Sequence, residues 1–174
     1  MEEKEIINRV ANSSIVTIDL EDYYHNGERV GYDIAKHLYK GLILKEMDFR
    51  AFVKEHDWSL YEGKNIALFC SEDAIVPTWA YMLLATRLQP YVNKVVYGGM
   101  EVLEYALFKE ALSKIDLNEL KNRPVVIKGC GDLPVPESAF VEIVTLLQPV
   151  VKSLMYGEAC SSVPLWKVSR VVNN

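Results

Sequence analysis

The sequence predicts an α/β fold: a single mostly parallel sheet containing a duplicated β-α-β unit, with an N-terminal β-hairpin at one edge. Residues 65–99 and 124–158 align without a gap at a constant offset of 59 residues, and Leu-Gln-Pro and Tyr-Gly recur in register. Each stretch opens with an unbroken apolar run, which is typical of a strand covered on both faces. Asn26-Gly27 favours a hairpin turn because both residues accept a positive φ.

The first third of the chain predicts two helices around the hairpin. Residues 2–12 have a weak helical pattern. Ser14–Leu20 alternates apolar and polar residues, as a half-buried strand does, and Arg29–Ile34 would be the return strand. Lys45–His56 has apolar residues close to helical spacing and charges elsewhere, which predicts an amphipathic helix.

Each copy of the repeat predicts a strand, a helix and a second strand. Pro77 or Pro136 suits the start of the helix, since the missing N–H would be unpaired there anyway. Gln-Pro ends the helix, because proline disfavours the helical state in the residue before it. Right-handed crossovers then give parallel strands. The predicted strands are 66–69, 95–97, 125–127 and 154–156, and a further helix covers 102–115 between the copies.

Length and composition bound the kinds of protein the chain can be. Its 174 residues fit a single domain over 1–174. The net charge of −5 and the lack of a Lys/Arg run disfavour a nucleic-acid partner. No apolar run is long enough to span a membrane, and Met-Glu-Glu-Lys-Glu does not start a signal peptide. We therefore expect a cytoplasmic protein with no membrane partner and with reduced cysteines.

Several recognition motifs are absent from the sequence. There is no Gly-x-Gly-x-x-Gly and no phosphate-binding Gly-x-x-x-x-Gly-Lys-Ser/Thr. Gly-x-Ser-x-Gly, His-Glu-x-x-His and Cys-x-x-Cys are missing as well. Nucleotide binding and the common hydrolase mechanisms therefore lose most of their support.

The cysteines provide the main functional hypothesis. Cys70 and Cys130 follow the first strands of the two copies, and Cys160 follows the last strand. In one parallel sheet these are all carboxyl ends, where ligands collect. The pattern predicts a three-thiolate site for zinc or an iron–sulfur cluster, in a metal-binding accessory protein. The predicted metal ligands are Cys70, Cys130, Cys160, Asp73, Asp132 and Glu158.

Other interpretations of these residues stay open. Cysteine is often a small buried hydrophobe, and Asp73 and Asp132 could fold their loops and cap the helices that follow. A second functional class is a thiol enzyme with Cys130 as nucleophile and Asp132 nearby. A third is a protein-interaction module without a small ligand. The sequence does not decide whether the protein is an enzyme, and it leaves a homo-oligomer open.

Six motifs resemble domain-of-unknown-function family 2480 (DUF2480), and the resemblance spans nearly the whole chain. It implies no established activity. It implies an origin in Bacteroidetes and partners among iron–sulfur assembly proteins, because such genes lie near those for sulfur-mobilisation iron–sulfur assembly. The motifs are Val16-Thr-Ile-Asp-Leu-Glu-Asp, His56-Asp-Trp, Ile75-Val-Pro-Thr-Trp-Ala-Tyr, Leu88-Gln-Pro, Val126-Ile-Lys-Gly-Cys-Gly-Asp and Lys152-Ser-Leu-Met-Tyr-Gly-Glu-Ala-Cys-Ser.

Overall fold

The chain divides into two compact units. The computed structural model describes residues 15–129, 131–158 and 160–169, so the helix predicted over 2–12 lies outside the described residues. Unit 1 comprises residues up to Tyr24 and from Phe108 onward, and unit 2 comprises His25–Leu107. A single domain over 1–174 stays a prediction. No helix in the described ranges is long and apolar enough to cross a membrane.

Strands and helices alternate along most of the chain, and short 3-10 helices follow β1 and β2. The elements in chain order are β1 (Val16–Asp19), β2 (Arg29–Asp33), β3 (Leu38–Tyr39), β4 (Ile43–Leu44), α1 (Glu46–Glu55), β5 (Asn65–Phe69), α2 (Thr78–Leu88), β6 (Lys94–Tyr97), α3 (Met100–Leu112), α4 (Leu117–Leu120), β7 (Pro124–Lys128), α5 (Glu137–Leu147), β8 (Ser153–Glu158) and β9 (Ser161–Lys167).

The α/β class and the mostly parallel pairing are confirmed. In unit 1 the strand order is β1-β7-β8-β9, with the first three strands parallel and β9 antiparallel to β8. In unit 2 the order is β2-β5-β6, all parallel. A separate pair, β3 and β4, is antiparallel.

The pairing of the strands differs from the prediction in two respects. The repeat stretches contribute to two sheets rather than to one. The segment around Asn26-Gly27 does not join antiparallel neighbours, because β1 pairs with β7 and β2 pairs with β5. The physical reason is local: the Arg29 guanidinium donates to the carbonyl oxygens of His25 and Gly27, and the Gly27 N–H donates to the His25 ring. Side chains thus pair with backbone N–H and C=O groups of this turn, which therefore do not need hydrogen bonds from an antiparallel neighbour strand.

The two repeat stretches have the same secondary structure in the same order. Shifted by 59 residues, β5 and α2 have the bounds of β7 and α5, and β6 falls on the first four residues of β8. The core positions correspond as well, since each helix buries three side chains spaced four residues apart. These are Ala80, Leu84 and Leu88 in α2, and Ala139, Ile143 and Leu147 in α5. A duplication as the origin of this correspondence stays a prediction.

Candidate functional site

The predicted three-cysteine site is not found among the described residues. Cys70 follows β5 in unit 2, is partly buried, and its thiol donates to the carbonyl oxygen of Glu72 at 3.4 Å. Cys160 is exposed between β8 and β9 in unit 1. Cys130 lies outside the described residues. Within the part of the chain that the structure describes, no group of three or more His, Cys, Asp or Glu side chains could hold a metal ion.

The predicted function as a metal- or iron–sulfur-binding protein is therefore wrong. The prediction assumed that the strands before Cys70 and Cys130 belong to one sheet and so share one carboxyl edge. Strands β5 and β7 belong to different sheets, and that premise fails. Asp73 is exposed in the loop after β5 in unit 2, whereas Asp132 and Glu158 lie in unit 1.

The structure does bring Asp132 and Glu158 together, in a cavity of about 380 Å³ at the carboxyl edge of the unit 1 sheet. We call it the acidic cavity. It lies where β1, β7 and β8 end side by side, which is the edge at which parallel sheets bind ligands. Its charged groups are four carboxylates and one ammonium. The lining residues are Asp19, Glu21, Lys128, Gly129, Gly131, Asp132, Tyr156, Gly157 and Glu158.

The only ammonium among these lining residues is already paired. Asp19 and Lys128 are the last residues of β1 and β7, and they are register partners in the sheet. Their side chains form an ion pair with 2.9 Å between Nζ and Oδ2. Hydrogen bonding to Lys128 lowers the pKa of Asp19, and the same contact raises the pKa of Lys128. Lys128 therefore stays protonated at neutral pH and is not a nucleophile.

Glu21 holds the loop that carries Asp132. Its carboxylate accepts hydrogen bonds from the backbone N–H of Gly131 and, at 3.5 Å, from that of Leu133. A Cβ atom at position 131 would lie 2.9 Å from the Glu21 carboxyl carbon, so glycine lets the backbone approach this closely. Glu21 thus has a structural role, and it fixes the first turn of the loop between β7 and α5.

Asp132 and Glu158 are the carboxylates left for a ligand. Both are exposed, and neither side chain forms a hydrogen bond or an ion pair with the described residues. Glu158 is near enough to contribute to the raised pKa of Lys128, after the larger effects of Asp19. Because the Asp19–Lys128 pair is neutral as a whole, the cavity retains the negative charge of Glu21, Asp132 and Glu158.

An apolar groove adjoins the acidic cavity, and the two share Gly129 and Tyr156. It has a volume of about 670 Å³ and runs between α5 and strands β8 and β9. Phe140 and Tyr156 meet edge to face in its wall, with ring centroids 5.8 Å apart. We call it the groove of unit 1; its lining residues are Ile127, Gly129, Leu133, Pro134, Val135, Glu137, Phe140, Val141, Val144, Tyr156 and Leu165.

The candidate site residues predicted from the sequence did not include Asp19, Glu21 or Lys128. Their association depends on the register of β1 against β7, which joins residues more than a hundred positions apart. One signal for it is present in the sequence: an acidic residue ends one strand and a basic residue ends another, as in Ile18-Asp19 and Ile127-Lys128. Opposite charges on directly paired positions stabilise a strand pair.

Comparison with known proteins identifies the family and no relative of established activity. No curated protein and no solved structure matches the chain. The family model described as Protein of unknown function (DUF2480) matches residues 4–168, which confirms the resemblance carried by the six motifs. An origin in Bacteroidetes stays a prediction. With nearly its whole length matched, the chain belongs to the family Protein of unknown function (DUF2480).

Proposed function

We propose that unit 1 binds a small organic cation, with an ammonium or guanidinium group at one end and an apolar body at the other. The observation that carries the proposal is the continuity of the acidic cavity with the groove of unit 1 through Gly129 and Tyr156. A ligand that lies across both would place its charge beside carboxylates and its carbon skeleton against Phe140 and Val144.

The charge balance of the cavity favours a cation over an anion. Asp132 and Glu158 present acceptor oxygens with no partner among the described residues, and an ammonium supplies up to three donors. Hydrogen bonds between ionised groups are roughly twice as strong as those between neutral groups. An anionic ligand would instead face these two carboxylates and Glu21, while the one cationic group is already held by Asp19.

The apolar part of the ligand gains from burial in the groove. The two spaces, of about 380 and 670 Å³, are each of the size found for small-molecule sites. Phe140 and Tyr156 already meet edge to face, so an aromatic ligand body would extend an existing ring cluster. Apolar burial contributes affinity, and the carboxylates select the charge of the ligand.

Calorimetric titration with 2-phenylethylammonium tests the proposal, with 2-phenylethanol and phenylacetate as neutral and anionic controls of similar shape. We expect binding of the ammonium compound only. The double variant Asp132→Asn with Glu158→Gln should weaken binding at least about tenfold, because each lost charged hydrogen bond contributes about 1.5–3 kcal/mol. Equal binding of all three compounds, or of phenylacetate alone, would show that the carboxylates do not select the ligand.

The chain offers a matched control for this variant. Asp73 occupies the position that corresponds to Asp132 in the loop after β5, and it is also exposed. Asp73→Asn removes one negative charge from unit 2, and we expect it to leave the affinity for 2-phenylethylammonium unchanged. If it weakens binding as much as the Asp132→Asn, Glu158→Gln double variant does, the effect is one of net charge and the site is misassigned.

We also propose that the protein works in the cytoplasm. Cys160 is exposed and Cys70 is only partly buried, and both thiols are free. Exposed free thiols persist in reducing compartments and are rare in secreted proteins. Titration of the purified, denatured protein without reductant should find three free thiols per chain, because the sequence has three cysteines. A native intramolecular disulfide would contradict this.

A further inference from the structure

In the part of the chain that the structure describes, no strand pairs with the outer edge of β6 in unit 2, whereas the corresponding edge in unit 1 is covered. Strand β6 is the last strand of the β2-β5-β6 sheet. Strand β8 has the same place in unit 1, but β9 pairs along its outer edge. Among the described residues no strand of unit 2 plays the part of β9. An open edge presents backbone N–H and C=O groups that another strand can pair with.

An apolar groove lies beside this open edge. It has a volume of about 520 Å³ between α2 and β6. Shifted by 59 residues, its wall residues Leu68, Tyr81 and Tyr97 correspond to Ile127, Phe140 and Tyr156 in the groove of unit 1. Tyr97 is 70% exposed and Met82 is 64% exposed. Exposed apolar side chains grouped beside an unpaired strand mark an interaction surface.

Strand β9 shows what kind of segment fits such an edge. It runs antiparallel to β8, with Trp166 opposite Leu154 and Val163 opposite Tyr156. Trp166 packs against the core of unit 1. The corresponding positions of β6 are Val95 and Tyr97. A strand that completes unit 2 in the same way must be antiparallel and must place apolar side chains opposite Val95 and Tyr97.

We infer that this strand is β6 of a second copy of the chain, paired across a two-fold axis at Val96. In that register Val96 lies opposite Val96 of the partner subunit, and Val95 lies opposite Tyr97 of the partner subunit. Directly opposed residues of an antiparallel pair point to the same face. Val95 packs in the core on the α2 side, and Tyr97 contacts Tyr81 of α2 with ring centroids 4.9 Å apart. In this register, side chains on the α2 side of β6 therefore lie opposite side chains on the α2 side of the partner strand.

Charge also favours a second copy at this surface. The chain has a net charge of −5, so two copies repel each other overall. The nine residues that line the groove of unit 2 include none with a charged side chain: Leu68, Val76, Thr78, Tyr81, Met82, Ala85, Val95, Val96 and Tyr97. Two copies can meet there without bringing like charges into contact, and the contact is isologous, as in most soluble dimers.

Light scattering after gel filtration tests the inference at the level of mass. The wild type should have twice the monomer mass of 19.8 kDa. Tyr97→Lys places an ammonium in the apolar contact and should give the monomer mass, and Met47→Lys is the matched control because Met47 is 85% exposed on α1. Melting curves show whether both variants fold. A monomeric wild type at all concentrations, or a dimer that Tyr97→Lys leaves intact, overturns the inference.

Cross-linking tests the register without relying on a disruptive variant. Opposed Cβ atoms in an antiparallel pair lie about 4.5–5.5 Å apart, so Val96→Cys should form a disulfide with its symmetry mate on mild oxidation. Peptide mapping distinguishes this link from links through the native cysteines. Met155→Cys is the control, since it occupies the corresponding position in β8, where β9 covers the edge. No 96–96 link, or equal links in both variants, contradicts the proposed pairing.

Discussion

Truncation of Leu84 to alanine is expected to lower the free energy of unfolding by about 2–5 kcal/mol, the range for a fully buried leucine. Leu84 lies in the middle of α2 with no exposed surface, in the core cluster that includes Ile66 and Trp58. The loss combines the transfer free energy of the removed methyl groups with the cavity they leave. Because a domain has only about 5–15 kcal/mol of stability, this one change removes a large part of it.

The same helix supplies the control for this prediction. Arg87 is three residues from Leu84 but is exposed, so Arg87→Ala should change the unfolding free energy by less than about 0.5 kcal/mol. Urea denaturation followed by far-ultraviolet circular dichroism measures both variants. Equal losses for the two variants would mean that the α2 face toward the unit 2 sheet is assigned wrongly.

Unit 2 is expected to lose stability as the pH falls from about 6.5 toward 4. Burial, followed by the nearby charges of Lys36 and His56, lowers the pKa of His37 to about 4. Its Nε2 atom lies 2.9 Å from the Tyr32 hydroxyl, and its ring contacts Phe49 and Phe52. Since the unfolded chain takes up the proton near pH 6.5 and the folded chain only near 4, stability is complete above 6.5 and declines below it.

The size and the window of this effect distinguish it from ordinary acid unfolding. With a discount for partial solvent access, His37 should account for about 1–2 kcal/mol of lost stability by pH 5. The pKa values of Asp19, Asp33 and Asp57 are lowered from the usual 3.8. Protonation of these three carboxylates in the folded chain therefore reduces its stability only at a pH below that value. His56, whose pKa is lowered mainly by burial, adds a loss of the same sign.

Urea titrations between pH 7 and pH 5 measure the effect, with His37→Gln as the comparison. The variant cannot take up the proton at position 37, so its stability should vary less with pH even if its absolute stability is lower. The test compares the slopes of unfolding free energy against pH for the two proteins. A purely structural loss would lower the whole curve of the variant without changing its slope. Parallel curves for the wild type and His37→Gln would refute the assignment.

Much of the local structure follows from the sequence because its signals are local. The apolar runs at Ile66 and Val125 mark strands, and Gln-Pro marks the end of both repeat helices. Strand β9 was missed because it contains Pro164, which argues against a strand. The structure places Pro164 on the last strand of the sheet, beside a register shift between Leu154 and Met155. A sheet tolerates proline both on an edge strand and at a bulge.

Strand partners and the candidate site could be predicted only in part, because they depend on contacts between distant residues. Nothing near Val16 in the sequence indicates that its partner is Val125. Placement at strand ends drew attention to Asp132 and Glu158, which line one cavity, but it also included Cys70 because one sheet was assumed. Carboxyl ends converge only within a sheet, so the number of sheets decides which strand-end residues share a site.

The most direct test of the proposed function is a titration of isotope-labelled protein with 2-phenylethylammonium, followed by amide chemical shifts. We expect the largest shifts on unit 1, at the backbone amides of Asp132, Gly157 and Glu158 and along the groove at Phe140 and Val144. We expect no shift at Asp73, the corresponding position in unit 2. Shifts confined to unit 2, or none at saturating ligand, would contradict the proposed site.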